Sequence, residues 1–254
     1  MRTEFLRIHG QELYSEVAGA GEPVLLLHGG FCSLENLREL ANTLMQEYQV
    51  FAYERPGHGR SADLAGDYSY ARGLTDTLAY LDAQGLKSVH VVGYSDGAIL
   101  GLLLALEHPE RVRSLVAVSA NLDPDVFTPA AGDGPRLDAP PPSAAVGEQE
   151  PDLERLHYGR LSPDGAGHAE VVLAKLMRLW TTEPRIEPAR LASITAPTLI
   201  MSGDRDSIPP AHSLLMAASI PGAQLAIVPG TGHGLIAQRP ELIHTLIRDF
   251  LAQV

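Results

Sequence analysis

The chain has 254 residues, 45% of them hydrophobic and 20% charged, which is enough apolar material for a sizeable core. Its formal net charge is −12 and no stretch is dense in Lys or Arg, which argues against a grip on nucleic acid or an anionic membrane. One cysteine, Cys32, excludes an intrachain disulfide and a cysteine-rich zinc site. No apolar run approaches the roughly 18–20 residues of a membrane span. The segment Met1 to Gly10 mixes Arg2, Glu4 and Arg7 with apolar residues, so no secretory signal is expected and the reading is a cytoplasmic protein.

Phe5-Leu6-Arg7-Ile8, a turn at Gly10-Gln11 and Leu13 to Val17 predict an antiparallel hairpin. Short apolar runs without polar alternation follow: Val24–Leu27, Val50–Tyr53, Val89–Val92, Leu115–Val118, Thr198–Met201 and Leu225–Val228. Such runs suit strands buried on both faces of a parallel sheet. Helical periodicity separates them, over Ser33–Tyr48, Ala71–Gln84, Ala98–Glu107, Ala211–Ser219 and Glu241–Ala252. The expected fold is α/β, a mostly parallel doubly wound sheet with an antiparallel N-terminal start.

One stretch interrupts the alternation. Residues 121–190 carry no strand-like run; a Pro-rich loop around Pro129, Pro135 and Pro140-Pro141-Pro142 precedes two helical segments, Asp152–Leu161 and Gly167–Trp180. An insertion of this size is more often functional than accidental. It is read as a small helical cap, with residues 1–120 and 191–254 forming the core.

Gly93-Tyr94-Ser95-Asp96-Gly97 leaves the run His90-Val91-Val92 and opens the most apolar helix. A Gly-x-Ser-x-Gly pentapeptide between strand and helix presents its serine on a sharp turn at the carboxyl end of the sheet, with acid and histidine following in chain order. Ser95 is the candidate nucleophile, although five residues alone would also fit a plain tight turn. A serine hydroxyl needs a base. His233, in the glycine-rich loop Pro229 to Gly234 after the last strand, is preferred over His212 and His244. His212 reads as a surface or capping residue and His244 as part of an amphipathic helix. Asp206, deeper in the loop Gly203-Asp204-Arg205-Asp206, is preferred as the acid over Asp204, which could fix the turn, and over Asp123. Oxyanion donors are expected from the backbone N–H of Asp96 and of Gly30 in His28-Gly29-Gly30, with Phe31 as the alternative. Cys32 reads as a packed residue.

Together with Arg55-Pro56-Gly57-His58-Gly59-Arg60-Ser61 and His108-Pro109-Glu110-Arg111-Val112, these motifs make the chain resemble the α/β-hydrolase superfamily over nearly its whole length. The family pattern usually has Asp where Glu54 stands and a less constrained residue at Pro56. The resemblance implies Asp206 as the acid, three residues after Gly203, and Ser95 speaks against the branches with an aspartate nucleophile. The elbow is similar to that of valacyclovir hydrolase and related amino-acid ester hydrolases, which implies that Asp96 could hold a substrate ammonium group. An acid at a helix N-terminus is also favourable without any ligand, by about 0.3–1 kcal/mol.

The expectation is a serine esterase acting on a small-molecule ester through an acyl-enzyme, with no metal, no organic cofactor, no nucleic acid and no membrane as partner. Trp180 and its cap neighbours would shape the substrate pocket, or simply form the cap's own packing face. The same triad would serve a C–C bond hydrolase, a cofactor-free haloperoxidase-like enzyme or an acyltransferase. The scaffold could also act as a ligand receptor without turnover.

Overall fold

The computed structural model describes residues 1–127 and 152–254, so the Pro-rich loop expected between Pro129 and Pro142 lies outside the described residues. Among the described residues, eight strands form one sheet: β1 (Arg2–Ile8), β2 (Gln11–Gly19), β3 (Pro23–Leu27), β4 (Gln49–Tyr53), β5 (Val89–Tyr94), β6 (Val112–Val118), β7 (Thr198–Gly203) and β8 (Gln224–Val228). Their order is β1-β2-β4-β3-β5-β6-β7-β8. β1 pairs antiparallel with β2 and β2 with β4; every later pairing is parallel.

The missing polar alternation now has a cause. Side chains along a strand point to opposite faces, and both faces here are covered. Leu25, Leu27, Phe51, Tyr53, Val91, Leu115, Ala117 and Ile200 enter one apolar cluster. Their neighbours Val24, Leu26, Val50, Ala52, Val92, Val116, Val118, Leu199 and Met201 enter the other. Burying each Val, Leu, Ile, Phe or Met side chain among them contributes about 1.5–3 kcal/mol.

The helices are α1 (Arg38–Leu44), α2 (Tyr70–Ala83), α3 (Asp96–Glu107), α4 (Leu153–Leu161), α5 (Ala169–Thr182), α6 (Pro210–Ser219), α7 (Leu235–Gln238) and α8 (Pro240–Leu251). The single helix expected over Ser33–Tyr48 divides. Ser33 and Asn36 form a reciprocal cap over a short 3-10 turn, Leu34–Leu37, and α1 begins after it. α3 starts two residues before the expected Ala98, directly after Ser95. α7 was not expected; it is a single turn.

Three segments converge at the start of α3. Ser95 adopts φ 54° and ψ −120°, a region that a side chain rarely occupies. Its N–H donates to Val118 O at 2.8 Å, pinning the turn to the end of β6. A Cβ at Gly97 would lie 2.1 Å from Leu27 O, and one at Gly93 would lie 2.3 Å from Gly97 O. Neither neighbour is a side chain that could swing away. Gly97→Ala should therefore destabilise the protein by at least about 2 kcal/mol in urea unfolding. Gly167→Ala, in open space, should stay within about 0.5 kcal/mol of the parent.

Candidate active site

Ser95, His233 and Asp206 come from three different loops at the carboxyl end of the sheet. His233 Nε2 stands 3.0 Å from Ser95 Oγ, and His233 Nδ1 stands 2.8 Å from Asp206 Oδ1. The Asp206 side chain is fully buried, whereas the imidazole is 37% exposed. Burial alone would raise the Asp206 carboxyl above the usual carboxylate range. The imidazole, the Ser119 hydroxyl and the Ile208 N–H together hold it below that range instead. Ser119 Oγ donates to Asp206 Oδ2 at 2.5 Å and Ile208 N to Oδ1 at 3.0 Å. This chain of groups can draw a proton from Ser95 Oγ onto an imidazole whose orientation is fixed.

The rival acids have other partners. Asp204 Oδ1 accepts from Thr231 N at 3.2 Å, which fastens the loop that carries His233. Asp123 accepts from Asp125 N and pairs with Arg185. His212 is not the surface or capping residue expected. It is half-buried, and its Nε2 accepts the Leu122 N–H at 3.0 Å, securing the loop after β6. His244 is buried and bonds to Thr43. Cys32 is packed, and burial pushes its thiol up to about 12.

A cleft of about 500 Å³ opens over Ser95 and His233. Gly30 and Asp96 line it on the serine side, and Phe31 turns away to stack its ring on Tyr158 at 5.4 Å. The loop carrying Gly30 is held from behind by Arg55, whose Nη2 donates to His28 O at 3.0 Å and Gly29 O at 2.8 Å. In return, the Arg55 N–H donates to His28 Nε2 at 3.0 Å. Glu54, where the family pattern has Asp, is buried; it accepts from Leu34 N and Arg60 Nη1 and so closes the same corner.

The Asp96 carboxylate has protein partners of its own. Its Oδ1 accepts from Tyr70 Oη and Trp180 Nε1, both at 2.9 Å. Its Oδ2 is buried without a hydrogen bond among the described residues, 3.7 Å from Arg55 Nη1. Trp180 thus reaches the cleft wall while its polar edge is fastened to the elbow. The sequence reading gives Ser119, Tyr70 and Arg55 no role in the site. Of the three, only Arg55 lay in a motif that had been singled out.

With this geometry in view, the alpha/beta hydrolase family model matches residues 24–245. The chain belongs to that family. It is 30% identical to the protein named "Putative carbamate hydrolase RutD" of Azorhizobium caulinodans, with 96% of each chain covered. Among solved structures it resembles a hydrolase from Pseudomonas aeruginosa, with a TM-score of 0.78, 26% identity and 98% of each chain covered. It also resembles Est816, described as an N-acyl homoserine lactone degrading enzyme, with a TM-score of 0.76, 25% identity, and coverage of 97% of this chain and 100% of that one. This alpha/beta hydrolase is accordingly a hydrolytic enzyme. Among the described residues no group of three or more His, Cys, Asp or Glu is placed to hold a metal. Nor is any helix among them long and apolar enough to cross a membrane.

The cleft's roof, α5, is tied to the core of the hydrolase through Asp63. Lys175 Nζ donates to Asp63 Oδ2 at 2.6 Å and to Leu64 O at 2.6 Å. His168 Nε2 and Tyr68 Oη reach the same carboxylate at 2.8 and 2.5 Å. Burial would raise the Asp63 carboxyl, but the bonds from Lys175, Tyr68 and His168 hold it below its usual range. Its contribution to stability is therefore full above the unfolded value of about 3.9 and is lost as pH falls through the lowered folded value. Asp63→Asn should destabilise the protein by about 3 kcal/mol near neutral pH, because Lys175 loses its buried partner. The variant should also show a shallower fall of the urea midpoint below about pH 4 than the parent.

Proposed function

We propose that this hydrolase is a serine esterase that cleaves a carboxylic ester of a small molecule through an acyl-enzyme. The observation that carries this reading is the unbroken line Ser95 Oγ–His233 Nε2 at 3.0 Å and His233 Nδ1–Asp206 Oδ1 at 2.8 Å, set on a strained elbow at the floor of a cleft. Ser95 Oγ attacks the ester carbonyl carbon while His233 takes its proton. The carbonyl oxygen becomes an oxyanion within reach of the backbone N–H groups of Gly30 and Asp96. Collapse breaks the bond to the alcohol, which leaves with the proton from His233. Water then repeats the sequence on the acyl-serine and frees the acid. Asp206 holds the imidazole in one tautomer and stabilises its charged form.

In this reading residues 121–190 act as the cap, because α5 carries Trp180 and Met177 into the cleft wall. The relatives named for carbamate hydrolysis favour one second reading. A carbamate linkage offers the same carbonyl to Ser95 and differs only in the nitrogen beside it.

Ser95→Ala should abolish turnover of p-nitrophenyl acyl esters, and Asp206→Asn should lower kcat by roughly ten-thousand-fold. Both are read by p-nitrophenolate release, with circular dichroism to show that the variants remain folded. Turnover in Ser95→Ala at the parent's rate would sink the mechanism.

A further inference from the structure

The cleft wall carries information about charge that the triad does not. Its broad surfaces are apolar, from Pro124, Phe127, Met177, Trp180 and Ile208. Asn121, Thr181 and Ser207 supply neutral polar groups. Apart from the imidazole of His233, no cationic side chain lines it among the described residues. The nearby cations are engaged elsewhere. Arg55 lies beneath the Gly30 loop, bonded to His28 O and Gly29 O and 3.7 Å from Asp96. Arg185 bonds to Asp123 at 3.0 Å and stands 3.9 Å from Asp125. The mouth instead presents Asp125, whose side chain is 83% exposed.

Resting on the esterase reading, we infer that the site takes esters with an apolar acyl or alcohol part and rejects esters that carry a carboxylate. Among the described residues, a carboxylate entering this cleft loses its hydration and meets no cation besides the imidazole of His233, with only the neutral groups of Asn121, Thr181 and Ser207 to replace the water. The remaining field works in the same direction. The chain carries −12 net charges, so an anion is repelled before it arrives. The volume sets the scale of what is accepted. About 500 Å³ lies inside the roughly 300–1,000 Å³ range of pockets that enclose a whole small molecule. The cleft therefore accommodates an acyl chain or ring together with its alcohol.

The test compares p-nitrophenyl valerate with p-nitrophenyl hemisuccinate, which are similar in length and differ in a terminal carboxylate. kcat/KM is measured on the full chain at low salt and again in about 0.5 M NaCl, where fields beyond roughly 4–5 Å are screened. The neutral ester should be favoured by roughly 30-fold or more, and most of that preference should survive the salt. Met177→Lys, which places a cation in the wall, should raise hemisuccinate turnover relative to valerate by about tenfold. Comparable kcat/KM for the two esters, with both activities abolished in Ser95→Ala, would overturn the charge selection and leave the esterase standing. A preference that vanished entirely in salt would also overturn it, because the cause would then be the distant field. Absence of turnover on either ester by the folded parent would remove the esterase reading and this inference with it.

Discussion

The close approach of three backbone segments at Gly93, Ser95 and Gly97 is the constraint on which the rest of the site depends. β5 must end, turn through a left-handed residue and start α3 within four positions, while the ends of β3 and β6 press against the same point. Only hydrogen fits between Gly97 and Leu27 O, and only hydrogen fits between Gly93 and Gly97 O. The bond from Ser95 N to Val118 O then converts a strained turn into a fixed one. A serine held this way keeps its hydroxyl at one place without a side-chain bond to a neighbour on its own element. That leaves Oγ free to meet an imidazole from a loop 138 residues later in the chain.

The polar groups around the elbow follow from the same geometry. Asp96 is the first residue of α3, so its carboxylate falls into the corner between the Gly30 loop and α5. There it gathers Tyr70 from α2 and Trp180 from α5 on one oxygen and faces Arg55 with the other. Arg55 in turn holds the carbonyls of His28 and Gly29. One buried acid thus connects the serine turn, the loop of the expected oxyanion donors and the roof of the cleft. Gly30 is needed at this junction, since a Cβ there would lie 2.5 Å from the indole and 2.6 Å from Asp96 Oδ2.

What could be read from the sequence was local. The apolar runs announced buried strands because the cause, two covered sheet faces, acts on every residue of a strand. The serine elbow was legible because its glycines and its strand-to-helix setting lie within a few residues of Ser95. His233 was legible because glycines flank it in a loop leaving a strand. Groups whose meaning lies in a distant partner were silent. Ser119 meets Asp206 across 87 positions, and Tyr70 meets Asp96 across 26. His212 was misread for the same reason: its neighbours suggest a helix start at the surface, while its partner Leu122 N lies 90 positions upstream. For Asp96 the sequence offers either an ammonium holder or an acid favoured at a helix N-terminus, and nothing nearby in sequence predicts an indole on it.

The arrangement separates the two things a hydrolase must do. The groups proposed to handle the proton stand on loops whose anchors are strands of the sheet: β5 for Ser95, β7 for Asp206 and β8 for His233. The cleft wall draws instead on the insertion after β6, through Phe127, Met177 and Trp180, so its shape and charge can change while those anchors stay in place. The separation is incomplete, because the bond from Trp180 to Asp96 passes through the elbow. A change in α5 that moves the indole therefore unseats a buried acceptor beside Ser95, whereas a change at Met177 or Phe127 alters the wall alone. Selectivity is free to vary at the outer wall and is mechanically tied to the serine at its inner end.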